Sequence, residues 1–194
     1  WDIPKSQQVG EPLYYNSIMA SGSESSGLYK KQRLVPFGEY IPLSGMLKWV
    51  LPAMQNDVSM SGFSRGEPDQ KPLSVKGHAL AAAICYEVAY PNLTRRNALN
   101  SDFLITVSND AWFTGTAGPW QHLQMVQMRA KENGRWFIRA TNTGVTAFID
   151  HNGHIVKRAP MDKEAILRGE LPAMQGETLY MKLSDWPVLI FSVL

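Results

Sequence analysis

The stretch Leu80-Ala-Ala-Ala-Ile-Cys-Tyr-Glu-Val-Ala-Tyr90 constrains this chain more than any other. The apolar run from Leu80 to Ile84 reads as a short buried strand, since a sheet covered on both faces uses continuous apolar sequence. It ends at Cys85, the only cysteine in 194 residues, and passes into helix-like sequence. Cys85 therefore falls at a strand-to-helix elbow. There a side chain stands at the end of a sheet while unpaired N–H groups of the helix start face the same space. Two readings follow: a nucleophilic thiol, or a small buried hydrophobe, which is what most free cysteines are. The stretch by itself leaves both open.

A length of 194 residues suits one α/β domain, and 44% hydrophobic with 19% charged residues is ordinary globular composition. Nineteen basic against seventeen acidic residues give a formal charge of +2, too small to argue for nucleic acid despite the local knot Lys30, Lys31, Arg33. No nucleic-acid partner is expected. A single cysteine excludes an internal disulfide framework and leaves the redox compartment open. The opening Trp1-Asp-Ile-Pro reads as a strand already under way, so sequence upstream is expected. The closing Trp186-Pro-Val-Leu-Ile-Phe-Ser-Val-Leu194 is apolar, with Pro187 suited to a helix start. Such a helix reaches only about 14 Å against a hydrocarbon core of about 30 Å. It is either the start of a membrane segment or a helix docked on the domain.

In chain order, Glu11 to Ala20 reads as a strand and Ser21–Gly27 as a turn, with a second strand from Leu28 to Leu34. Strand alternation puts Lys30 and Lys31 on opposite faces, so one faces inward; periodicity does not choose between them. Val35-Pro-Phe-Gly-Glu-Tyr-Ile-Pro42 is a stiff loop centred on Glu39. Ser44 to Val50 reads as a short helix, apolar almost all round, and Met54 to Phe63 continues the theme; both suit either a core helix or a lid that touches lipid. After a polar, Pro-rich connection comes the Leu80–Ile84 strand, then Glu87 to Asn100 as a helical crossover interrupted by Pro91, then the buried strand Phe103–Val107. That is a βαβ unit. Ser108-Asn-Asp-Ala-Trp112 follows, a polar cluster at a strand end where α/β sheets place their binding residues.

Trp112 to Trp120 reads as a loop with an aromatic at each end, and Gln121 to Asn133 as a helix stopped by Gly134. Met125, Met128 and Leu123 mark its expected buried stripe, with His122 a helix-start residue rather than a ligand. Trp136–Ala140 is a further strand, Asn152-Gly153 joins a hairpin of Val145–Asp150 with Ile155–Arg158, and Ala165 to Leu171 reads as an edge strand. No metal-ligand spacing, Gly-rich phosphate loop or G-x-S-x-G is present, so no metal or cofactor is expected.

Four segments in order carry a resemblance: Tyr29-Lys-Lys-Gln-Arg-Leu-Val-Pro-Phe-Gly-Glu39, Ala83-Ile-Cys-Tyr-Glu87, Ser108-Asn-Asp-Ala-Trp-Phe113 and Gly118-Pro-Trp-Gln-His122. Together they resemble the nitrilase, or carbon–nitrogen hydrolase, superfamily. The narrower likeness is to the periplasmic catalytic domain of the bacterial apolipoprotein N-acyltransferase family. The resemblance implies an α-β-β-α sandwich with a Glu-Lys-Cys triad on a membrane anchor. Residues 1–185 would form a partial catalytic domain, and 186–194 the start of a transmembrane helix. Position by position, Cys85 matches the nucleophile, Lys31 the triad lysine, and Glu39 and Glu87 the supporting glutamates. Tyr86 and Trp112 match residues near the acyl pocket. The family's general-base glutamate has no counterpart, Glu11 and Glu24 standing in the wrong context, so the domain is expected to lack its N-terminal part.

The implied chemistry is acyl transfer through a thioester on Cys85. The donor would be a membrane phospholipid, typically phosphatidylethanolamine, and the acceptor the N-terminal cysteine amine of a diacylated apolipoprotein, at the periplasmic side of the bacterial inner membrane. Two alternatives stand beside it: a soluble carbon–nitrogen hydrolase acting on small amides or nitriles, and a non-catalytic lipoprotein-binding module.

Overall fold

The computed structural model describes residues 13–40, 42–43, 63–161 and 163–193. The expected strand at Trp1–Pro4, the Ser44–Val50 helix and most of the Met54–Phe63 segment lie outside them. The chain divides into two compact units, residues 1–17 with 30–68, and residues 18–29 with 69–194.

The larger unit is built on a seven-stranded sheet. Strands β1 (Ser17–Met19), β2 (Ser25–Ser26) and β3 (Leu28–Lys30) precede β4 (Leu73–Val75), β5 (His78–Ile84), β6 (Phe103–Ser108), β7 (Trp136–Thr141), β8 (Ala147–Ile149) and β9 (Ile155–Arg158). The sheet order is β2-β4-β5-β6-β7-β8-β9, and β1 pairs with β3 in a separate ribbon. The three central strands β5, β6 and β7 run parallel, while the flanking pairs are antiparallel. Parallel neighbours need crossovers, and helices α1 (Pro91–Ala98) and α2 (Gly118–Asn133) supply them. The chain is α/β, as expected.

Alternation along β5 divides the core in two. Ala81 and Ala83 face a cluster with Ala98 of α1, Leu123, Val126 and Ala130 of α2, and Phe137 of β7. Leu80, Ala82 and Ile84 face the other side with Tyr29, Leu73 and Phe103. Small alanines on the helical side let α1 and α2 lie close to the sheet, and both faces of β5 are dry.

Several expectations shift. The Leu28–Leu34 strand ends at Lys30, and of Glu11 to Ala20 only Ser17–Met19 is strand among the described residues. Pro91 does not interrupt a helix: it stands at the first position of α1, where its missing N–H costs nothing, after a 3-10 turn at Cys85–Ala89. The aromatic-flanked loop after Trp112 is shorter than read, because a 3-10 turn covers Ala111–Phe113 and α2 already begins at Gly118 with Pro119 in its first turn. Met125 and Met128 are exposed; the stripe that packs is Leu123, Val126 and Ala130. Ala165 to Leu171 is not a strand. Gly169 lies so close to the Phe148 ring that a Cβ would meet it at 2.8 Å, and Lys157 Nζ caps the Arg168 carbonyl at 2.6 Å, so the segment follows the hairpin without a ladder. The hairpin itself stands as read, with Gly153 at φ 86 in its turn.

Two short helices close the chain, α3 (Leu179–Leu183) and α4 (Trp186–Val193). Among the described residues no helix is long and apolar enough to cross a membrane.

Candidate active site

Cys85 sits where the sequence places it, at the C-terminal end of β5 and the first position of the 3-10 turn. Its backbone is left-handed, φ 53. A non-glycine residue held there costs on the order of 1–3 kcal/mol, so surrounding contacts must over-determine it. Two such contacts are present. Glu87, fully buried, folds back so that Oε2 accepts the Ile84 N–H at 2.7 Å, which fixes the start of the turn. From α2, His122 Nε2 lies 3.1 Å from the Cys85 carbonyl oxygen; an oxygen of this kind only accepts, so Nε2 carries the proton.

Glu87 also accepts from the Tyr29 hydroxyl, which is 3.2 Å from one carboxylate oxygen and 3.1 Å from the other. Burial, then the charge of Glu87 and its hydrogen bond, push the Tyr29 hydroxyl far above its usual range, so it remains a donor. Asn97 Nδ2 steadies this corner by donating to the Ala82 carbonyl at 3.2 Å.

Behind the elbow lies a buried polar cluster. Asp110, just past the end of β6, accepts from Ser108 Oγ at 2.6 Å and from Arg139 Nη2 at 2.6 Å, and its Oδ1 lies 2.9 Å from His122 Nδ1. Arg139 shares the helix-facing side of β7 with Phe137 and donates Nε–H to the Val145 carbonyl at 3.0 Å. Burial alone would raise the Asp110 carboxyl, but hydrogen bonds from His122 and Ser108 and the charges of Arg139 and His122 outweigh it and hold the pKa below the usual value. Gly144 makes room: a Cβ there would come within 2.4 Å of Asp110 Oδ2.

In the smaller unit, Lys31 is the inward lysine, 1% exposed, while Lys30 lies over the Tyr15 ring at 4.1 Å. Lys31 Nζ pairs with Glu39 Oε1 at 2.7 Å. Glu39 in turn accepts from Asn16 Nδ2 on Oε1 and from the Val35 N–H of its own loop on Oε2, each at 2.8 Å, so both carboxylate oxygens are held. The lysine backbone is fixed as well, donating to the Asn16 carbonyl and accepting from Gly66, each at 2.8 Å. A cation this buried is tolerated because it is paired.

The structure thus joins Lys31 with Glu39 in one unit and Cys85 with Glu87 in the other. Tyr86 and Trp112 are surface residues, 40% and 76% exposed, with Tyr86 edge-on to Tyr90 at 5.5 Å. His122 is the residue sequence reading missed: it lies inside α2, not at its start, and binds the elbow. Arg139 drew no reading from the sequence beyond its place in a strand; it shares its parity with the inward Phe137. Among the described residues no cluster of histidine, cysteine or carboxylate side chains has the arrangement to hold a metal ion.

Cys85 is thus a strand-end thiol on a left-handed elbow, with the buried Glu87 carboxylate folded back onto the start of the turn. The Carbon-nitrogen hydrolase family description matches residues 3–179, and the chain belongs to that family. It is 51% identical over 192 residues to the apolipoprotein N-acyltransferase of Azotobacter vinelandii, covering 99% of this chain and 37% of that protein. The Pseudomonas putida enzyme of the same name is 49% identical over 193 residues, 99% of this chain and 38% of its own. The chain therefore spans little more than a third of these relatives. Among solved structures, a carbon-nitrogen hydrolase from Helicobacter pylori superposes with a TM-score of 0.53 at 18% identity, covering 72% of this chain and 49% of that one. The C. elegans NitFhit protein gives 0.52 at 18% identity over 86% and 38% of the two chains. These likenesses establish the nitrilase-type α/β fold.

Proposed function

We propose that this chain carries the thiol half of an apolipoprotein N-acyltransferase, with Cys85 as the acyl-bearing nucleophile. The observation that carries the reading is the left-handed backbone of Cys85 at the end of β5, held by Glu87 from below and His122 from α2. The names of the relatives at about half identity support the direction of the chemistry.

In the first step the Cys85 thiolate attacks the carbonyl carbon of a phospholipid ester, typically of phosphatidylethanolamine. The ester C–O bond breaks, a thioester forms, and the lysophospholipid leaves with a proton. In the second step the α-amine of a diacylated apolipoprotein's N-terminal cysteine attacks the thioester. The new C–N bond forms, the C–S bond breaks, and the thiolate returns as the amine gives its proton to a base. The family resemblance assigns that base to a glutamate with no counterpart in these residues, and assigns Lys31 to the thiolate and the oxyanion. The tight Lys31–Glu39 pair suits a lysine that must point in one direction. An oxyanion donor of this kind is worth about 3 kcal/mol. Glu87 keeps the elbow closed, and exposed Tyr86 and Trp112 offer aromatic surface to acyl chains.

We further place residues 1–185 in the catalytic domain and 186–194 at the start of a membrane anchor, on the periplasmic side of a bacterial inner membrane. Exposed Trp186, Val188 and Phe191 on α4 support that placement, since water does not favour such a run of apolar surface.

The test uses the full-length protein with phosphatidylethanolamine vesicles and a synthetic diacylated peptide bearing an N-terminal cysteine. A mass gain of one fatty acyl group on the peptide is expected. Hydrolysis of small amides without peptide acylation would favour the carbon–nitrogen hydrolase alternative, and neither activity would favour a binding module.

A further inference from the structure

The mechanism above uses Cys85, Lys31, Glu39 and Glu87, and it leaves a second group of buried polar side chains behind the elbow without a role. Asp110 and Arg139 are each 1% exposed and His122 is 8% exposed. Burying a carboxylate, a guanidinium and a histidine ring beside a dry core is costly, and replacing such clusters with apolar residues is often neutral or stabilising. The cluster therefore asks for a reason beyond stability. It reaches Cys85 through the bond from His122 Nε2–H to the Cys85 carbonyl.

We propose that Asp110, Arg139 and His122 are positioning residues that hold the Cys85 elbow, with His122 as the arm that grips it. The geometry is a relay of direction. Ser108 Oγ and Arg139 Nη2 fix the Asp110 carboxylate, and Asp110 Oδ1 fixes the ring of His122 through Nδ1. The opposite ring nitrogen then reaches the carbonyl of a residue whose left-handed backbone is unfavourable unaided. Locking that carbonyl locks the peptide plane after Cys85, and with it the N–H that follows the thiol. Arg139 is itself held by the carboxylate: burial lowers its pKa, while the charge of Asp110 and its hydrogen bond raise it. Its Nη1 is buried and has no hydrogen-bond partner among the described residues.

This inference rests on Cys85 being the acyl-bearing thiol, and the experiment separates the two. His122→Gln keeps an N–H where Nε2 stands; His122→Asn keeps one toward Asp110 but none for the Cys85 carbonyl. Full-length wild type and both variants are compared for kcat and KM of acyl transfer from phosphatidylethanolamine vesicles, for the rate of Cys85 alkylation by iodoacetamide, and for Tm. His122→Asn is expected to lose about 10²-fold in kcat with KM little changed, the scale of a misplaced reacting group. Its Cys85 alkylation rate should change in parallel, while His122→Gln stays near wild type in both. Equal rates in the two variants, or Asn outperforming Gln, overturn the proposal. Ser108→Ala loosens Asp110 by one hydrogen bond and leaves His122 itself unsubstituted: a smaller fall in kcat at constant KM supports the relay, and an unchanged kcat contradicts it. If wild type transfers no acyl group at all, the functional reading fails, and the alkylation rates still decide whether the clamp exists.

Discussion

Two turns in the larger unit place a residue in the left-handed region and tie it to the same helix. In the hairpin between β8 and β9, Gly153 has φ 86 and its carbonyl accepts from Gln127 Nε2 of α2 at 2.7 Å. At the elbow, Cys85 has φ 53 and its carbonyl accepts from His122 Nε2 of α2 at 3.1 Å. Each turn also has a carboxylate that gathers backbone N–H groups: Asp150 takes those of Asn152 and His154, and Glu87 takes that of Ile84. The hairpin does this with glycine and a neutral amide. The elbow does it with a β-carbon where none is welcome, and with an imidazole backed by Asp110 and Arg139. Glycine meets the left-handed requirement in the hairpin 68 residues on, whereas the elbow meets it with a residue that keeps a side chain.

The largest test of that contrast is Asp110→Asn. Breaking a buried charge cluster from one side should cost about 4 kcal/mol of stability, measured by denaturant unfolding at pH 7. The sign with pH follows from the lowered pKa of Asp110: its contribution is present above the unfolded-chain value of 3.8 and is lost as pH falls through the folded value. The gap between wild type and Asp110→Asn should therefore narrow as pH drops below about 4. A constant gap would mean the carboxylate is not held as a charge.

Glu87→Ala comes next. It leaves the Ile84 N–H and the Tyr29 hydroxyl without this acceptor in a dry site, at about 3 kcal/mol. A loss under half of that would show the elbow to be held mainly from α2. Gly153→Ala should cost about 1–2 kcal/mol, because the new Cβ meets the left-handed backbone penalty and stands 2.7 Å from the Gln127 carbonyl. Acyl transfer per folded molecule should not change. The smallest effect is the most pointed: glycine is ordinarily about 0.5–1 kcal/mol worse than alanine, but at φ 53 the order should reverse, with Cys85→Gly unfolding at higher denaturant than Cys85→Ala. If alanine is the more stable, the elbow is not strained and the contrast with the hairpin fails.

These turns also show what the sequence makes legible. Asn152-Gly153 announces its hairpin, and Gly134 its helix end at φ 57, because the conformation and the residue that permits it coincide. The strands β5 and β6 are readable from unbroken apolar runs, and the elbow from the break that follows. The elbow's supports are not readable in that way. His122 stands 37 residues from the carbonyl it binds and Arg139 stands 29 from Asp110, contacts that exist only once parallel strands and a crossover helix are assembled. Where pattern misled, local chemistry was ambiguous: methionine suits either face of α2, so the stripe expected at Leu123, Met125 and Met128 holds only for Leu123, and the face that packs continues through Val126 and Ala130. Ala165–Leu171 reads as an edge strand, yet Gly169 and the crowding by Phe148 leave it without a ladder.

The central claim is that the strained thiol carries the acyl group. Full-length wild type and Cys85→Ala are incubated with phosphatidylethanolamine vesicles in the absence of any amine acceptor, then digested and mapped by mass spectrometry. A fatty acyl mass is expected on the peptide containing Cys85, released by hydroxylamine and absent from the variant. An unmodified Cys85, or the same acyl load in Cys85→Ala, would contradict it.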